Sequence, residues 1–380
     1  MRWTLKPVPN ENSVQYLATA LGIDETIARL LAQRGIESFA QAKAFFRPQL
    51  KDLHDPYLMK DMDIAVQRIQ TALSTNERIM VYGDYDVDGT TSVALMATYL
   101  ETKTEAIATY IPDRFTEGYG VSYAGIDYAA DNDFSLIIAL DCGVKALKKV
   151  AYAKEKGIDF IICDHHRPGD ALPQAVAVLD PKRSDCSYPF KELCGCGVGF
   201  KLIQALGQQF SESIDDLTPY LDLVATAIGA DIVPVVGENR ILAYYGLEVL
   251  NSKPRVGFQA LIHHIKKETL TLTDVVFVIA PRINAAGRMK HGNYAVSLLK
   301  EADATKAQAA SEAIETFNTT RRTLDQEITK AALLQIDQNQ EQGKATTVVY
   351  SPEWNKGVIG IVASRPVSYT HLRAHETIPD

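Results

Sequence analysis

The stretch Arg78-Ile-Met-Val-Tyr-Gly-Asp84-Tyr-Asp86-Val-Asp88-Gly89 decides the fold of this chain. A short apolar run with the composition of a β-strand ends in three aspartates at alternate positions, and a glycine and a small-residue helix start follow. Three carboxylates this close together repel one another unless cations lie between them. The stretch therefore predicts a strand whose carboxyl end reaches a divalent-metal site.

The same Asp-x-Asp-x-Asp-Gly pattern also begins the calcium loop of an EF-hand. That loop requires a bidentate glutamate at its twelfth position, and counting from Asp84 that position is Leu95. An EF-hand loop also follows a helix, whereas this pattern follows a strand-like run. The pattern disfavours the calcium loop, and a solvated acidic turn is the alternative for any one such segment taken alone.

Length and charge limit the classes of protein to which the chain can belong. Its 380 residues, 46% of them hydrophobic, are enough for two or more domains with buried cores. A net charge of −8 argues against a protein that coats nucleic acid, so a nucleic-acid enzyme would need local basic patches. The first residues lack the apolar run of a signal peptide, and five cysteines, an odd number, fit a reducing compartment. We expect a cytoplasmic protein with no membrane association.

Strand-like and helix-like segments alternate in the middle of the chain, which predicts an α/β fold with a doubly wound, mostly parallel sheet. The strand candidates are Ile79–Tyr82, Ala106–Ile111, Leu136–Leu140, Phe160–Cys163 and Val176–Leu179. Ligands of such sheets bind beyond the carboxyl ends of the strands. Three of the candidates are followed there by acids or histidines, namely Asp84, Asp86 and Asp88, then Asp141, then Asp164, His165 and His166. The topology therefore predicts that these distant groups meet at one edge of the sheet.

The pattern of the whole chain predicts five segments. Residues 1–75 form a helical N-terminal extension, 76–240 the α/β catalytic domain, and 241–342 a helical region that ends in a long connecting helix between domains. Residues 343–365 start a second α/β domain, with a strand at Thr346–Tyr350 and a helix from Gly357. Residues 366–380 fit neither continuation, and we interpret them as a non-native tail outside the fold.

These segments resemble the DHH phosphoesterase superfamily and, within it, the RecJ family of exonucleases. The resemblance covers about residues 1–365 and is carried by Gly83-Asp-Tyr-Asp-Val-Asp-Gly89, Asp141-Cys-Gly143, Asp164-His-His166, Gly229-Ala-Asp-Ile-Val-Pro234 and Pro281-Arg-Ile-Asn-Ala-Ala-Gly-Arg-Met289. The last motif, with Pro112-Asp-Arg114 and Glu117-Gly-Tyr-Gly120, distinguishes the RecJ family from smaller members. The resemblance implies that residues 343–365 begin a DHHA1 domain, which this chain leaves truncated.

The resemblance also implies a function and a metal site. The implied enzyme hydrolyses single-stranded DNA from the 5′ end to 5′-mononucleotides in recombination and repair, with two Mn²⁺ or Mg²⁺ ions about 4 Å apart. The metal shell would consist of Asp86, Asp88, Asp141, His165 and Asp231. Asp84 and Asp164 would bind metal or orient its ligands, and His166 would contact the phosphate or the leaving oxygen.

Substrate contacts are implied in the same way. A guanidinium binds phosphate oxygens through paired hydrogen bonds. The residues implied to contact the 5′ end and nearby phosphates are Arg114, Arg282, Asn284, Arg288, Ser364 and Arg365. Three of them, at 282, 284 and 288, are expected in a loop after a strand at Val275–Ile279. Tyr119 is a candidate for stacking on a base.

Two other functions stay open at this stage. A DHH phosphoesterase for nano-RNA or small nucleotides would share the metal motifs, although the N-terminal extension and the Arg282–Arg288 segment argue against it. A non-catalytic RecJ-like scaffold is disfavoured because every expected metal ligand is present. The expected partners are single-stranded DNA and, beyond it, a helicase and a single-strand-binding protein.

Overall fold

The expected parallel sheet is present in the computed structural model, which describes residues 4–370 except 264, 266, 342, 343 and 345. Its five strands are β1 (Arg78–Gly83), β2 (Ile107–Tyr110), β3 (Phe134–Leu140), β4 (Asp159–Cys163) and β5 (Ala177–Leu179). The strands are hydrogen-bonded in the order β2-β1-β3-β4-β5, and each pair is parallel. Because the order reverses at β1 and β3, a ligand site is expected where these two strands end.

Helices surround the sheet and make up most of the remaining chain. Before the sheet lie α1 (Glu11–Leu21), α2 (Glu25–Ala32), α3 (Phe39–Phe46) and α4 (Met62–Ser74). Between the strands lie α5 (Val87–Glu101), α6 (Tyr123–Asp131) and α7 (Leu147–Glu155). After the sheet come α8 (Gly195–Gln209), α9 (Ile214–Leu217), α10 (Leu221–Ala230), α11 (Gly237–Ser252), α12 (Val256–Ile262), α13 (Leu272–Asp274), α14 (Ala280–Met289), α15 (Asn293–Lys300), α16 (Ala304–Gln338) and α17 (Lys356–Thr370).

Both faces of the sheet are covered, as a doubly wound fold requires. Successive side chains of β1 point to opposite faces: Ile79 and Val81 lie in one buried core, and Met80 and Tyr82 lie in the other. The larger core includes residues of α4, α5, α8 and α10, and the smaller one includes residues of α6 and α7. Among the described residues, no helix has both the length and the apolar character needed to cross a membrane.

The N-terminal extension is divided between two cores. Helices α1 to α3 enclose a small core of their own, which includes Val14, Leu17 and Ala28. Helix α4 instead contributes to the larger core beneath the sheet. The sequence placed α4 in the extension because its apolar spacing shows only that one face is buried, not which neighbour covers that face.

The predicted strand at Val275–Ile279 is wrong. This segment is a turn of π-helix that leads directly into α14. Val275 and Ile279, four residues apart, are buried, whereas Phe277 between them is 74% exposed. A capping box formed by Thr271 and Asp274 starts the helical path. The run of β-branched residues favours a strand by propensity, but the cap and the packing on α10 outweigh that preference. Arg282, Asn284 and Arg288 consequently lie on a helix rather than in a loop.

The predicted strand at Thr346–Tyr350 is also wrong. Residues 346–350 form no strand, and the backbone N–H and C=O of Tyr350 bond to the side-chain amide of Gln335 on α16. A side chain thus replaces the strand partner that the apolar pattern suggested. The long helix and the helix at Gly357 are confirmed as α16 and α17. Helix α17 continues to Thr370, past the expected boundary at residue 365, and 371–380 lie outside the described residues.

Candidate metal centre

The turn after β1 enters α5 without an intervening loop. Asp86 caps the helix, and its Oδ1 accepts a hydrogen bond of 2.9 Å from the N–H of Gly89. A Cβ at Gly89 would lie 2.4 Å from the carbonyl oxygen of Asp84, so glycine is required for this tight path. The turn leaves Asp86 half-buried at the helix start and buries Asp88 in the first turn of α5.

Asp88 is held in place by the start of another helix. Its Oδ2 and Oδ1 accept hydrogen bonds of 2.7 Å each from the backbone N–H groups of Gly195 and Cys196, at the first residues of α8. Unpaired N–H groups at a helix start carry partial positive charge and favour an anion. Sequence reasoning missed this support, although the glycine-rich run Gly195–Gly199 after an irregular segment was a signal for it.

Asp141, directly after β3, has an unusual backbone. Its φ of 59° lies in the left-handed region, which non-glycine residues seldom adopt. Gly195 packs against it so closely that a Cβ there would lie 2.5 Å from the Asp141 Cβ. The carboxylate is buried, and its Oδ1 makes no hydrogen bond with any described group. A buried carboxylate oxygen without a donor is costly, which marks this atom as a ligand position.

The ring of His165, delivered by β4, completes the group. Its Nε2 lies 3.2 Å from Oδ1 of Asp141, 3.5 Å from Oδ2 of Asp231 and 3.8 Å from Oδ2 of Asp88. Within the described part of the chain, this nitrogen has no hydrogen-bond partner. We call Asp88, Asp141, His165 and Asp231 the strand-end cluster: the first three follow β1, β3 and β4 in the chain, and Asp231 lies at the end of α10. Four segments far apart in sequence therefore meet at one point.

The carboxyl groups of the strand-end cluster all have raised pKa values, so each loses its proton less readily than an ordinary aspartate. Burial and the carboxylates of Asp231 and Asp86 raise the pKa of Asp88 to about 8. Burial and Asp86 raise the pKa of Asp231 to about 6, and burial with the surrounding aspartates raises the pKa of Asp141 well above its usual range. Burial and the neighbouring His166 lower the pKa of His165 to about 4. Its imidazole is therefore neutral near pH 7, which is the form that binds metals.

Asp164 and His166 form a pair beside the cluster. Nδ1 of His166 lies 2.7 Å from Oδ1 of Asp164, which also accepts hydrogen bonds from the N–H groups of His165 and His166. The hydrogen bond to Asp164 raises the pKa of His166. Although burial opposes the change, the His166 ring and nearby amides lower the pKa of Asp164. The pair can hold a protonated imidazole next to the metal ligands, suited to a phosphate oxygen or a leaving group.

Metal-binding geometry is found in two overlapping groups of described residues. The first contains Asp141, His165 and His166, and the second contains Asp88, His165 and Asp231; in each, the possible ligand atoms lie within 4.8 Å of one another. Asp86 belongs to neither group, but it is close enough to raise the pKa of Asp88, Asp141 and Asp231. Carboxylate and imidazole donors suit Mn²⁺ and Mg²⁺, and the unpaired atoms of Asp141 and His165 would be available to bind such ions.

The predicted phosphate-binding arginines are already engaged within the protein. Arg282 forms an ion pair with Glu315 on α16 at 2.6 Å, Nη1 of Arg288 donates to the carbonyl of Gly357 at 2.9 Å, and Arg365 pairs with Asp325 at 2.8 Å. The Arg114 guanidinium lies 4.0 Å from the ring centroid of Tyr85. Asn284 is half-buried on α14, and the Ser364 hydroxyl donates to the carbonyl of Ile361 within α17.

Asp180 was not predicted, although it follows β5 as the other acids follow their strands. It is fully buried, and its Oδ2 has no hydrogen-bond partner among the described groups. Burial raises its pKa to about 7, and it lies near enough to Asp164 and His166 to interact with their charges. A single acid after the fifth strand candidate was a signal in the sequence, but no histidine or second acid accompanied it there.

The chain is similar to known proteins over most of its length. Residues 78–228 match the DHH family, N-terminal domain. The chain is 40% identical, over 97% of its length and 46% of the relative, to the single-stranded-DNA-specific exonuclease RecJ of Bacillus subtilis. It resembles a crystal structure of RecJ from Thermus thermophilus in complex with Mn²⁺ with a TM-score of 0.84 and 29% identity, over 98% of this chain and 53% of that one.

The match to a second solved structure covers a larger share of that protein. The crystal structure of an exonuclease RecJ bound to manganese is 32% identical to the chain with a TM-score of 0.77, over 85% of this chain and 80% of that one. Against the curated relatives, the chain spans about half of their length. The agreement therefore extends over nearly all of this chain but over only part of the full-length relatives.

Proposed function

The chain belongs to the RecJ exonuclease family, and from that premise we propose that it hydrolyses single-stranded DNA with two divalent cations held at the strand-end cluster. The reaction starts at the 5′ end, releases 5′-mononucleotides and serves DNA recombination and repair in the cytoplasm. The observation that carries the proposal is the position of His165 Nε2, within 3.8 Å of carboxylates from three other segments. Burying these carboxylates together costs free energy without cations, whereas bound cations would offset their mutual repulsion.

The chain's own residues divide the work in the proposed reaction. Asp86, Asp88, Asp141, His165 and Asp231 would hold two Mn²⁺ or Mg²⁺ ions. The ions, when bound, neutralise charge on the scissile phosphate and lower the pKa of the attacking water. His166, oriented by Asp164, gives its proton to the leaving 3′ oxygen or holds a phosphate oxygen.

The remaining residues bind the strand. Arg282, Arg288 and Arg365 bind phosphates near the 5′ end after leaving their present partners, and Arg114, Asn284 and Ser364 add contacts there. Tyr119 stacks on a base at the entrance. The RecJ relatives' specificity for single strands fits this arrangement, since aromatic rings and guanidinium groups both bind unpaired nucleotides.

The direction of degradation can be tested directly. The purified chain would receive single-stranded DNA labelled at either the 5′ or the 3′ end, together with Mn²⁺. We expect 5′-labelled mononucleotide to appear at once, whereas the 3′ label stays in shortening oligomers. Early release of the 3′ label would contradict the proposed direction.

The substrate class needs a separate comparison. Turnover of a dinucleotide and of a long oligomer, measured at equal concentrations of 5′ ends, distinguishes a strand-degrading enzyme from a phosphoesterase for small nucleotides. We expect the oligomer to be degraded at lower concentration, because the arginines and Tyr119 contact further nucleotides. A helicase and a single-strand-binding protein are the partners that such an enzyme would require to obtain single strands. Pull-down with those two purified proteins, with and without DNA, would test that part of the proposal.

A further inference from the structure

Asp84 differs from its neighbours in what its carboxylate contacts. It is fully buried; its Oδ1 accepts a hydrogen bond of 2.6 Å from the N–H of Tyr85, and its Oδ2 accepts one of 2.9 Å from the N–H of Gly120. Asp88 also accepts two backbone hydrogen bonds, but its Oδ2 lies 3.8 Å from His165 Nε2 and belongs to a metal-binding group. In the described part of the chain, Asp84 belongs to neither of those groups.

Gly120 ends a short loop and is bound by Asp84 and also by Tyr82 on β1. The Tyr82 hydroxyl, on β1, donates a hydrogen bond of 2.9 Å to the carbonyl of Gly120 and accepts one of 3.1 Å from the N–H of Ser122. Gly118 and Gly120 have φ values of 83° and 77°, which only glycine adopts readily. Asp84 and Tyr82 therefore bind the N–H and the C=O of Gly120, a residue with a left-handed backbone.

The other end of this loop is fastened to β2. Glu117 accepts hydrogen bonds from the N–H of Asp113 at 2.8 Å, the Tyr110 hydroxyl at 2.9 Å and the Ser122 hydroxyl at 2.6 Å. We call residues 117–120 the EGYG loop. Since the loop is anchored on both sides, the direction of the side chain between its glycines is fixed.

That side chain is Tyr119, and it lies at the metal centre. It is 52% exposed, and its ring packs edge-on against Tyr85 at 5.7 Å and against His166 at 6.5 Å between centroids. The exposed part of the ring can receive a base, while its inner edge contacts the residue that we assign to the phosphate or leaving oxygen. The chain of contacts from Asp84 to Gly120 to Tyr119 thus connects the first motif to the substrate side of the site.

We infer that Asp84 is a positioning residue that anchors the EGYG loop, and with it Tyr119, over the metal centre, and that it holds no metal ion itself. The inference rests on the proposed function, because it assigns Tyr119 a contact with DNA. Asp84 acts through the N–H of Gly120: without Oδ2 of Asp84, that half-buried N–H loses its acceptor and the loop loses its fixed orientation. The three aspartates of the first motif then have different tasks despite their even spacing.

The test compares Asp84→Asn with Asp86→Asn in Mn²⁺ binding, measured by calorimetry, and in DNA binding, measured by anisotropy of a labelled oligodeoxythymidylate without divalent metal. We expect Asp84→Asn to keep the wild-type number of bound Mn²⁺ ions and to weaken DNA binding about tenfold, equivalent to about 1.4 kcal/mol. In hydrolysis, KM should rise by the same factor with kcat nearly unchanged. Asp86→Asn should lose a metal ion instead. A wild-type chain that binds no Mn²⁺ would refute the proposed function rather than this inference.

A double-mutant comparison tests the route through the loop. Tyr119→Ala should weaken DNA binding by a similar factor, and Asp84→Asn together with Tyr119→Ala should be no weaker than either alone. Tyr123→Ala, a tyrosine of similar exposure (47%) just beyond the loop, should bind DNA normally. If Asp84→Asn does not fold, Tyr82→Phe removes the other anchor of Gly120 and should show the same loss. Loss of a Mn²⁺ ion in Asp84→Asn, unchanged DNA binding, or additive effects with Tyr119→Ala would each overturn the inference.

Discussion

Around His165, two of the candidate ligand residues have buried atoms without a hydrogen-bond partner in the described protein, whereas Arg282, Arg288 and Arg365 on α14 and α17 are already paired. Oδ1 of Asp141 and Nε2 of His165 are buried without hydrogen bonds. Arg282 and Arg365, by contrast, are paired with Glu315 and Asp325. In the proposed function, the metal ligands are thus already grouped, whereas the arginines would have to exchange their internal partners for phosphates. The proposed chemistry would then use preorganised ligands, and the proposed DNA binding would compete with ion pairs inside the protein.

The strongest test of the preorganised region is Asp141→Asn. Asparagine has almost the same shape and tolerates the left-handed φ of 59°, so the variant should fold. Because a proposed metal ligand loses its charge, we expect kcat with Mn²⁺ to fall at least about a thousandfold, which is some 4 kcal/mol of activation free energy. Initial rates on a labelled oligomer measure the effect. Asp131→Asn, an exposed acid at the end of α6, is the matched control, and activity within tenfold of wild type in Asp141→Asn would exclude this cluster as the catalytic site.

A smaller effect is expected one step outward, at His166. Replacing it with glutamine removes the proton donor but no ion-binding carboxylate, so kcat should fall about a hundredfold. The raised pKa of His166 means that the ring is charged below that value and loses its proton as the pH rises through it. Wild-type kcat should accordingly decline on the alkaline side, and His166→Gln should lack that decline. An unchanged pH profile in the variant would show that His166 does not act as the acid.

Substitutions in the ion pair of Arg282 and Glu315 should change DNA affinity in opposite directions. Arg282→Ala should weaken binding of single-stranded DNA about tenfold and lower the slope of log affinity against log salt by about 1. Glu315→Gln, which frees Arg282 from its ion pair at 2.6 Å, should strengthen binding about twofold. Anisotropy titrations at several salt concentrations measure both. Weaker binding by Glu315→Gln would mean that the pair maintains the structure of the DNA site and does not compete with phosphate.

The smallest effect is thermal. Folded-state pKa values of about 6 for Asp231 and about 8 for Asp88 lie above the unfolded value near 4. The folded protein then binds extra protons at these two groups. Their contribution to the stability of the metal-free chain is fully present below the unfolded pKa and is lost as the pH rises through the folded pKa values. Between pH 5 and pH 8 we expect the Tm in EDTA to fall by a few degrees. Saturating Mn²⁺ should abolish the decline; an equal decline with Mn²⁺ would place the titrating groups elsewhere.

Most of the sheet and its functional edge could be predicted from the sequence. Strand–helix alternation has a strong local signal, and parallel topology fixes which strand ends meet, so Asp141 and His165 could be placed near Asp88 without coordinates. The confirmed strands agree with the expected ones to within two residues at each end. What remained uncertain was the task of each acid, since spacing does not reveal hydrogen-bond partners.

The failures have a common physical cause. Val275–Ile279 and Thr346–Tyr350 are rich in residues that favour strands, but tertiary partners decided their structure. The amides of Gly195 and Cys196 support Asp88 from more than a hundred residues away, and the glycine-rich run alone does not reveal which carboxylate its N–H groups bind. The pairing of Arg282 with Glu315 was hidden for the same reason, because a helix face must be known before an ion pair can be predicted.

Two glycines allow α14 to pack closely against the turn after β1 and against the start of α17. A Cβ at Gly287 would lie 2.5 Å from the carbonyl oxygen of Tyr85, and one at Gly357 would lie 2.2 Å from that of Arg288. The helix is thus wedged without slack between the first aspartate turn and the start of α17. A displacement of α17 would therefore act on the backbone beside Asp84 and Asp86. In the proposed function, this packing would couple the phosphate-binding residues of α17 to the metal ligands.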